Sequence, residues 1–411
     1  MNEIQSRMMH HLRVLSQEIG PRPVGSTGNR KAADYIDSVF KEAGLDVEIQ
    51  PFSVPDWTSK GSTLNINGEE WRVRANPFSP PCNLSAEIVS FCTIEQLEAS
   101  SQLTGKIALL YGELTKENWV PKGFTIYNPE HHRKIISLLE QKRPSALITV
   151  CMQTESDLPI VNDWDFDIPS VTVSPEMGLL LLEKGLSAPV HINIDSTRKE
   201  GLTCNVIGKW RGNREEIIVF TAHYDTVFGT NGAFDNASGV SMLLTLAEQI
   251  AHQARQRRYE TGFEFIAFSS EEYLGLGDQH YVKRRSGNFE QVLAALNFDG
   301  IGQAVGTNHV TLMAGSDPLL HQLKAMKGRY ESIQWTDPWY ESNHYTFFSR
   351  GVPSIPFSCT GVKHLLHTKE DRFEWISAEK CWEVFQIAMD IIDMLQDKSP
   401  EWTRNIPHAS V

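Results

Sequence analysis

Three apolar runs in the C-terminal half of the chain each end on residues that can bind a metal or move a proton. Residues 217–222 lead into His223-Tyr224-Asp225, residues 263–268 into Ser269-Ser270-Glu271-Glu272, and Val292–Phe298 into Asp299-Gly300. A run that is apolar throughout reads as a strand covered on both faces, as in a largely parallel sheet flanked by helices. The segments between and after the runs agree. Residues 238–255 carry Val240, Leu243, Leu244, Ala247, Ile250 and Ala251 on one helical face, and residues 378–396 carry Trp382, Phe385, Met389, Ile392 and Leu395. Residues 354–357 supply a further strand. The fold class expected is three-layer α/β, and in such a sheet the carboxyl ends of the strands line the crevice where ligands bind.

Two more segments converge on that edge: Phe234-Asp235-Asn236-Ala237-Ser238-Gly239 at a helix start, and His367 after the last strand. Two histidines and three or four carboxylates exceed what one catalytic zinc takes, since such a site keeps a position open for water. They suit two divalent ions, zinc foremost, with a bridging carboxylate. Ions about 3.5–4 Å apart can share a nucleophile and polarise a carbonyl. A further carboxylate is needed as general base, and adjacent Glu271 and Glu272 divide the two tasks. Taken singly, each of these residues could equally be a solvated strand end, and Asp235 a helix cap.

The N-terminal segment has a Gly20-Pro21-Arg22-Pro23-Val24-Gly25-Ser26-Thr27-Gly28 loop. A helix pattern follows through Ala32, Ala33, Ile36, Val39, Phe40 and Ala43, ended by Gly44, with residues 45–54 as a strand. From about Pro55 to Lys199 the texture changes to short strand candidates (106–111, Ala146–Val150, 171–173) and one helical stretch near 134–141. Here His131-His132 reads as a solvated surface pair, and the region as a module without chemistry of its own.

The motifs Thr221-Ala222-His223-Tyr224-Asp225-Thr226-Val227, Gly232 to Gly239, Phe268 to Glu272, Asn297-Phe298-Asp299-Gly300-Ile301-Gly302 and His367-Thr368-Lys369-Glu370-Asp371 resemble, in order, those of the M28 family of zinc exopeptidases. The opening Gly25-Ser26-Thr27-Gly28 with Ala32 to Ile36 is similar too, so the resemblance covers residues 20–57 and 200–395. Thr104 to Leu110 and Ile168 to Ser174 resemble the protease-associated (PA) domain often inserted in that family. The resemblance implies a mixed-sheet, phosphorylase/hydrolase-like peptidase domain formed by residues 1–57 and 200–411, with a smaller β-rich α+β insertion at 58–199.

It further implies two zinc ions. One is held by His223, Asp235 and Asp299, the other by Asp235, Glu272 and His367, with Asp235 bridging. Glu271 becomes the general base toward metal-bound water, and Asp225 the carboxylate that orients His223. The peptide bond after Asp235 is expected to be cis. Two departures from the family stand out. Leu366 occupies the place where many relatives carry the tyrosine that donates to the oxyanion. Tyr340, ahead of Ser342-Asn343-His344, is the candidate in its stead, with His344 and Tyr345 as alternates; Asn343 stands where relatives have Asp. His364 competes with His367 as ligand, but Thr368 and Asp371 fit the motif only with His367.

The activity implied is a two-zinc aminopeptidase acting on peptides with a free N-terminus. A carboxypeptidase or dipeptidase of the same fold is the nearest alternative, and Arg350 is then the candidate for the substrate carboxylate. A single-zinc glutaminyl-cyclase-like enzyme and a non-catalytic binding protein are the others. The formal charge of −13, from 38 basic and 51 acidic residues, lacks the basic footprint of a nucleic-acid partner. No apolar run approaches the ~18 residues of a membrane span. Met1-Asn2-Glu3-Ile4 lacks a signal-peptide start, so a cytoplasmic protein is expected, or a secreted one if a leader has been trimmed. The six scattered cysteines, with no CxxC pattern, are expected to be free thiols.

Overall fold

The computed structural model describes residues 1–124, 128–152, 159–273, 275–361 and 363–404. They form two compact units, one of Met1–Val54 with Leu202–Val411 and one of Pro55–Gly201.

In the first unit, strands Gly262–Phe268, Ile217–His223, Val292–Phe298 and Ser354–Thr360 lie side by side and parallel. Residues 206–210 of the strand Val190–Trp210 flank them antiparallel on one side, and Thr307–Val310 on the other. The sheet is therefore mixed. Strand periodicity divides the core. Ile218, Phe220 and Ala222 join the apolar faces of helices Glu3–Arg13, Thr27–Ala43, Ser238–Gln253 and Ala378–Leu395. Val219, Ile266, Val292 and Ala295 face the other way, onto Tyr281, Phe289 and Phe347. The three layers expected from the apolar runs are present.

Local chemistry sets the helix ends. Ser26 Oγ accepts from Asn29 N at the start of Thr27–Ala43, and Gly44 ends it in a left-handed conformation (φ 87°). The helix Glu3–Arg13, not read from the sequence, begins with a reciprocal Asn2–Gln5 capping box. Register sets the site edge: Thr221 pairs with Asn297 and His223 with Phe268. Asp299, two residues past Asn297, therefore lies level with His223, and Glu271 and Glu272 follow the neighbouring strand.

The second unit has its own sheet. Strands Cys82–Phe91, Lys106–Leu110, Ala146–Val150 and Ser170–Val173 are parallel, with antiparallel partners at both margins. The helix Glu130–Lys142 packs Ile135, Ile136 and Leu139 into a separate core with Leu110, Trp119 and Phe166. None of the six cysteines is joined in a disulfide. No helix among the described residues is long and apolar enough to cross a membrane.

Candidate metal centre

His223 ends its strand with the ring buried. Its Nδ1 lies 3.2 Å from the Asp225 carbonyl oxygen, which leaves Nε2 to face the crevice. Nε2 is 3.1 Å from Asp235 Oδ1 and 3.4 Å from Asp299 Oδ1. From the far side, His367 Nε2 is 3.0 Å from Asp235 Oδ2 and 3.2 Å from Glu272 Oε2. The two oxygens of Asp235 thus serve different groups: His223, Asp235 and Asp299 in one, and Asp235, Glu272 and His367 in the other. In each, three ligand atoms lie within 4.8 Å of one another.

The segment that carries Asp235 is shaped by its neighbours. Gly232 is left-handed (φ 55°), and a Cβ there would meet the Asp235 carbonyl oxygen at 2.3 Å. The Asp235–Asn236 peptide is cis. Asn236 Nδ2 donates to Phe298 O at 2.9 Å, and its Oδ1 accepts from Gly239 N and Gly300 N. These bonds fix the segment to both sides of Asp299. Asp371, four residues past His367, accepts from Phe234 N (2.7 Å) and Asp235 N (3.0 Å). Ser270 (φ 67°) and His367 (φ 62°) are left-handed residues with side chains, and such conformations cluster at functional sites.

The donor set suits divalent cations. Imidazole nitrogen and carboxylate oxygen are ordinary zinc ligands, and Glu272 Oε1 is buried with no hydrogen-bond partner. The charges are strongly coupled. Burial disfavours charge on His223, yet Glu271 and Asp299 outweigh it and hold the imidazole well above its ordinary pKa. His367 is raised likewise, against its burial, by Glu272 and Asp235. Burial also opposes ionisation of Asp235, but hydrogen bonds to both histidines bring its pKa below the usual carboxylate range. Glu272 is pushed up to about 7 by burial and by Asp235. For Glu271, burial and repulsion from Asp299 and Glu272 prevail over the attraction of His223 and raise its pKa well above the ordinary value.

The remaining sequence candidates fall in different places. Glu271 lies beside the cluster, its Oε2 3.9 Å from His223 Nε2. Asp225 meets His223 through its main-chain carbonyl; its carboxylate is 3.7 Å from Nδ1 and instead accepts from Glu271 N and Glu272 N, each at 3.2 Å. Tyr340 is half exposed, with its ring 5.6 Å from Phe348. His344 is buried and its Nε2 bonds Trp339 O at 2.8 Å, while Tyr345 packs against Phe348. Asn343 donates to the buried Asp278. His364 is exposed, and His367 is the histidine that reaches Asp235. Arg350 donates to Thr346 O and Ser349 Oγ and lies over the Phe289 ring.

His131-His132 departs from a solvated pair. His132 is buried and shares Glu117 with His131. Its Nδ1 accepts from Val120 N, so the proton sits on Nε2 and that nitrogen is not offered to a metal. Sequence reasoning missed the role of Asp371, which acts through main-chain hydrogen bonds that no residue spacing reveals.

Residues 205–392 match the model of peptidase family M28. The chain is 27% identical to the aminopeptidase YwaD of Bacillus subtilis, over 89% of this chain and 79% of the relative. Its fold is similar to a zinc aminopeptidase from Bacillus subtilis, with a TM-score of 0.78 at 23% identity, covering 98% of each chain. It is also similar to an aminopeptidase from an Aneurinibacillus strain, with a TM-score of 0.74 at 23% identity over 97% of this chain and 94% of the other. The matched segment contains the five residues of the two groups, His223, Asp235, Glu272, Asp299 and His367, together with Glu271, and it is this segment that is similar to peptidase family M28.

Proposed function

We propose that this protein is a two-zinc aminopeptidase that removes N-terminal residues from peptides. The observation that carries the reading is Asp235, whose two carboxylate oxygens each face a separate histidine-carboxylate group. In this reading His223, Asp235 and Asp299 hold one ion, and Asp235, Glu272 and His367 hold the second. Bound zinc supplies Lewis acidity toward the scissile carbonyl and makes water more acidic. Glu271 takes the proton of the attacking water and delivers it to the departing amine nitrogen. Its main-chain N–H is held by Asp225, which fixes where the turn presents the carboxylate.

Tyr340 serves as oxyanion donor. In support, its loop is tied to the site: His344 bonds Trp339 O, and Asn297, two residues before Asp299, donates to Ser342 Oγ at 3.0 Å. The relatives named as aminopeptidases support peptides with a free N-terminus as substrates. A carboxypeptidase reading gains nothing from Arg350, whose guanidinium is engaged at the end of its own helix. For Pro55–Gly201 we keep the PA-like reading, supported by the motif segments lying on the strands Lys106–Leu110 and Ser170–Val173.

The test is mass spectrometry of a short-peptide mixture, half of it N-acetylated, incubated with and without a chelator. Chelator-sensitive loss of single N-terminal residues from the free peptides alone is expected. Trimming of both sets from the C-terminus contradicts the reading.

A further inference from the structure

We propose that Arg22 is a positioning residue for the metal centre: with Asp371 it clamps the segment that carries Asp235, the cation taking carbonyls and the carboxylate taking amides. The inference rests on Asp235 being a metal ligand and adds residues outside the ligand set.

Arg22 is a fully buried guanidinium. Nε donates to Tyr224 O at 2.8 Å, Nη2 to Gly232 O at 2.9 Å, and Nη1 to Asn231 O (2.8 Å), Gly20 O (2.8 Å) and Leu15 O (2.9 Å). Every one of these acceptors is a main-chain carbonyl. Tyr224 directly follows His223, and Gly232 stands three residues before Asp235. One planar group therefore fixes the two ends of the 224–232 loop, and with them the chord between two ligand-bearing positions. The main chain adds a reciprocal pair, Arg22 N to Thr226 Oγ1 (3.0 Å) and Thr226 N to Arg22 O (3.3 Å).

Asp371 completes the clamp, because it takes the amides of Phe234 and Asp235 just beyond the last carbonyl that Arg22 holds. The charge has a second use. Burial brings the Arg22 pKa down to about 10 while Asp371, Asp225, Asp235 and Glu272 act in favour of the cation, so the guanidinium stays charged at neutral pH. It offsets carboxylates that would otherwise repel one another while the site forms. A lysine keeps the charge but cannot present donors in a fixed fork to carbonyls on both sides of the loop.

The test compares wild type, Arg22→Lys and Asp371→Asn by zinc competition against an indicator chelator, and by amide hydrogen exchange of the metal-free proteins. Outer partners of metal ligands typically contribute about 10–100-fold in affinity. Each variant is expected to weaken zinc binding by about that factor. Each should also speed exchange at Phe234 and Asp235, while the helix Ala378–Leu395 keeps wild-type protection. Exchange is read without metal, so a defect confined to folding as a whole would appear in that helix too. Affinity and exchange within twofold of wild type in both variants overturn the clamp. If Arg22→Lys does not fold, Asp371→Asn decides alone on the same two readouts. If wild type binds zinc no more tightly than Asp235→Ala, the two-zinc reading itself fails, a result distinct from loss of the clamp.

Discussion

Replacing Asp225 separates two ways in which a carboxylate can serve this site. Were its task to orient His223, substitution would weaken metal binding and leave the metal-free protein as stable as before. The geometry gives a different expectation. Asp225 is fully buried, its carboxylate is 3.7 Å from His223 Nδ1, and its two oxygens accept from Glu271 N and Glu272 N at 3.2 Å. Asp225→Ala strips both amides of their acceptor, at about 1–3 kcal/mol each, for a loss of about 2–5 kcal/mol once partial rehydration is allowed. Asp225→Asn keeps one acceptor and sets an NH2 against the other amide. It also removes a carboxyl whose pKa burial raises, so the expected loss is smaller, about 1–3 kcal/mol. Urea unfolding of the chelator-treated proteins measures both. A metal-free Asp225→Ala protein within about 0.5 kcal/mol of wild type would refute the reasoning, since surface-like substitutions fall in that range.

Three further expectations concern other positions. Glu271→Gln keeps the zinc content and lowers kcat by about 10²–10⁴-fold, the usual contribution of a general base; near-normal turnover removes it from that role. Burial pushes Asp278 up to about 6, so in the metal-free protein its stabilising contribution is full below the unfolded pKa near ~3.9 and is lost as pH rises through about 6. Asp278→Asn should erase a pH dependence on the order of 3 kcal/mol, and unfolding curves of equal pH slope in both proteins would contradict this. Gly239→Ala drives a Cβ to 2.2 Å from Phe298 O and 2.4 Å from Asn236 Oδ1. It should destabilise by about 1–3 kcal/mol or more and loosen the Asp235 segment, as thermal unfolding and hydrogen exchange at Asp235 would report.

The layered sheet was legible because its strands are apolar at every position and stop abruptly at polar residues. That pattern has few structural solutions. Convergence of His223, Glu272 and Asp299 follows from the same fact, since parallel strands bring their carboxyl ends to one edge. Asp235 and His367 join that edge by position, at a helix start and after the last strand, but their assignment as ligands, with Asp235 shared, needed motif resemblance, because local spacing does not say which atoms of a loop meet in the crevice. The sequence pattern starts this helix near residue 134 and leaves His132 outside it, whereas the helix begins at Glu130. Counted from there, His132 stands three, four and seven residues before Ile135, Ile136 and Leu139, on the buried stripe. Arg22 and Asp371 were invisible for another reason. Their partners are carbonyls and amides, which every residue has, so only coordinates reveal which ones they hold.

The most direct test of the account is native mass spectrometry of the zinc-titrated protein beside its Asp235→Ala variant, with N-terminal hydrolysis followed across the titration. Two zinc ions per wild-type chain are predicted, with hydrolysis rising as the pair fills and neither ion retained at stoichiometric zinc by the variant. A wild-type chain that saturates with one ion, or an Asp235→Ala chain that still holds two, would contradict a paired centre bridged by Asp235.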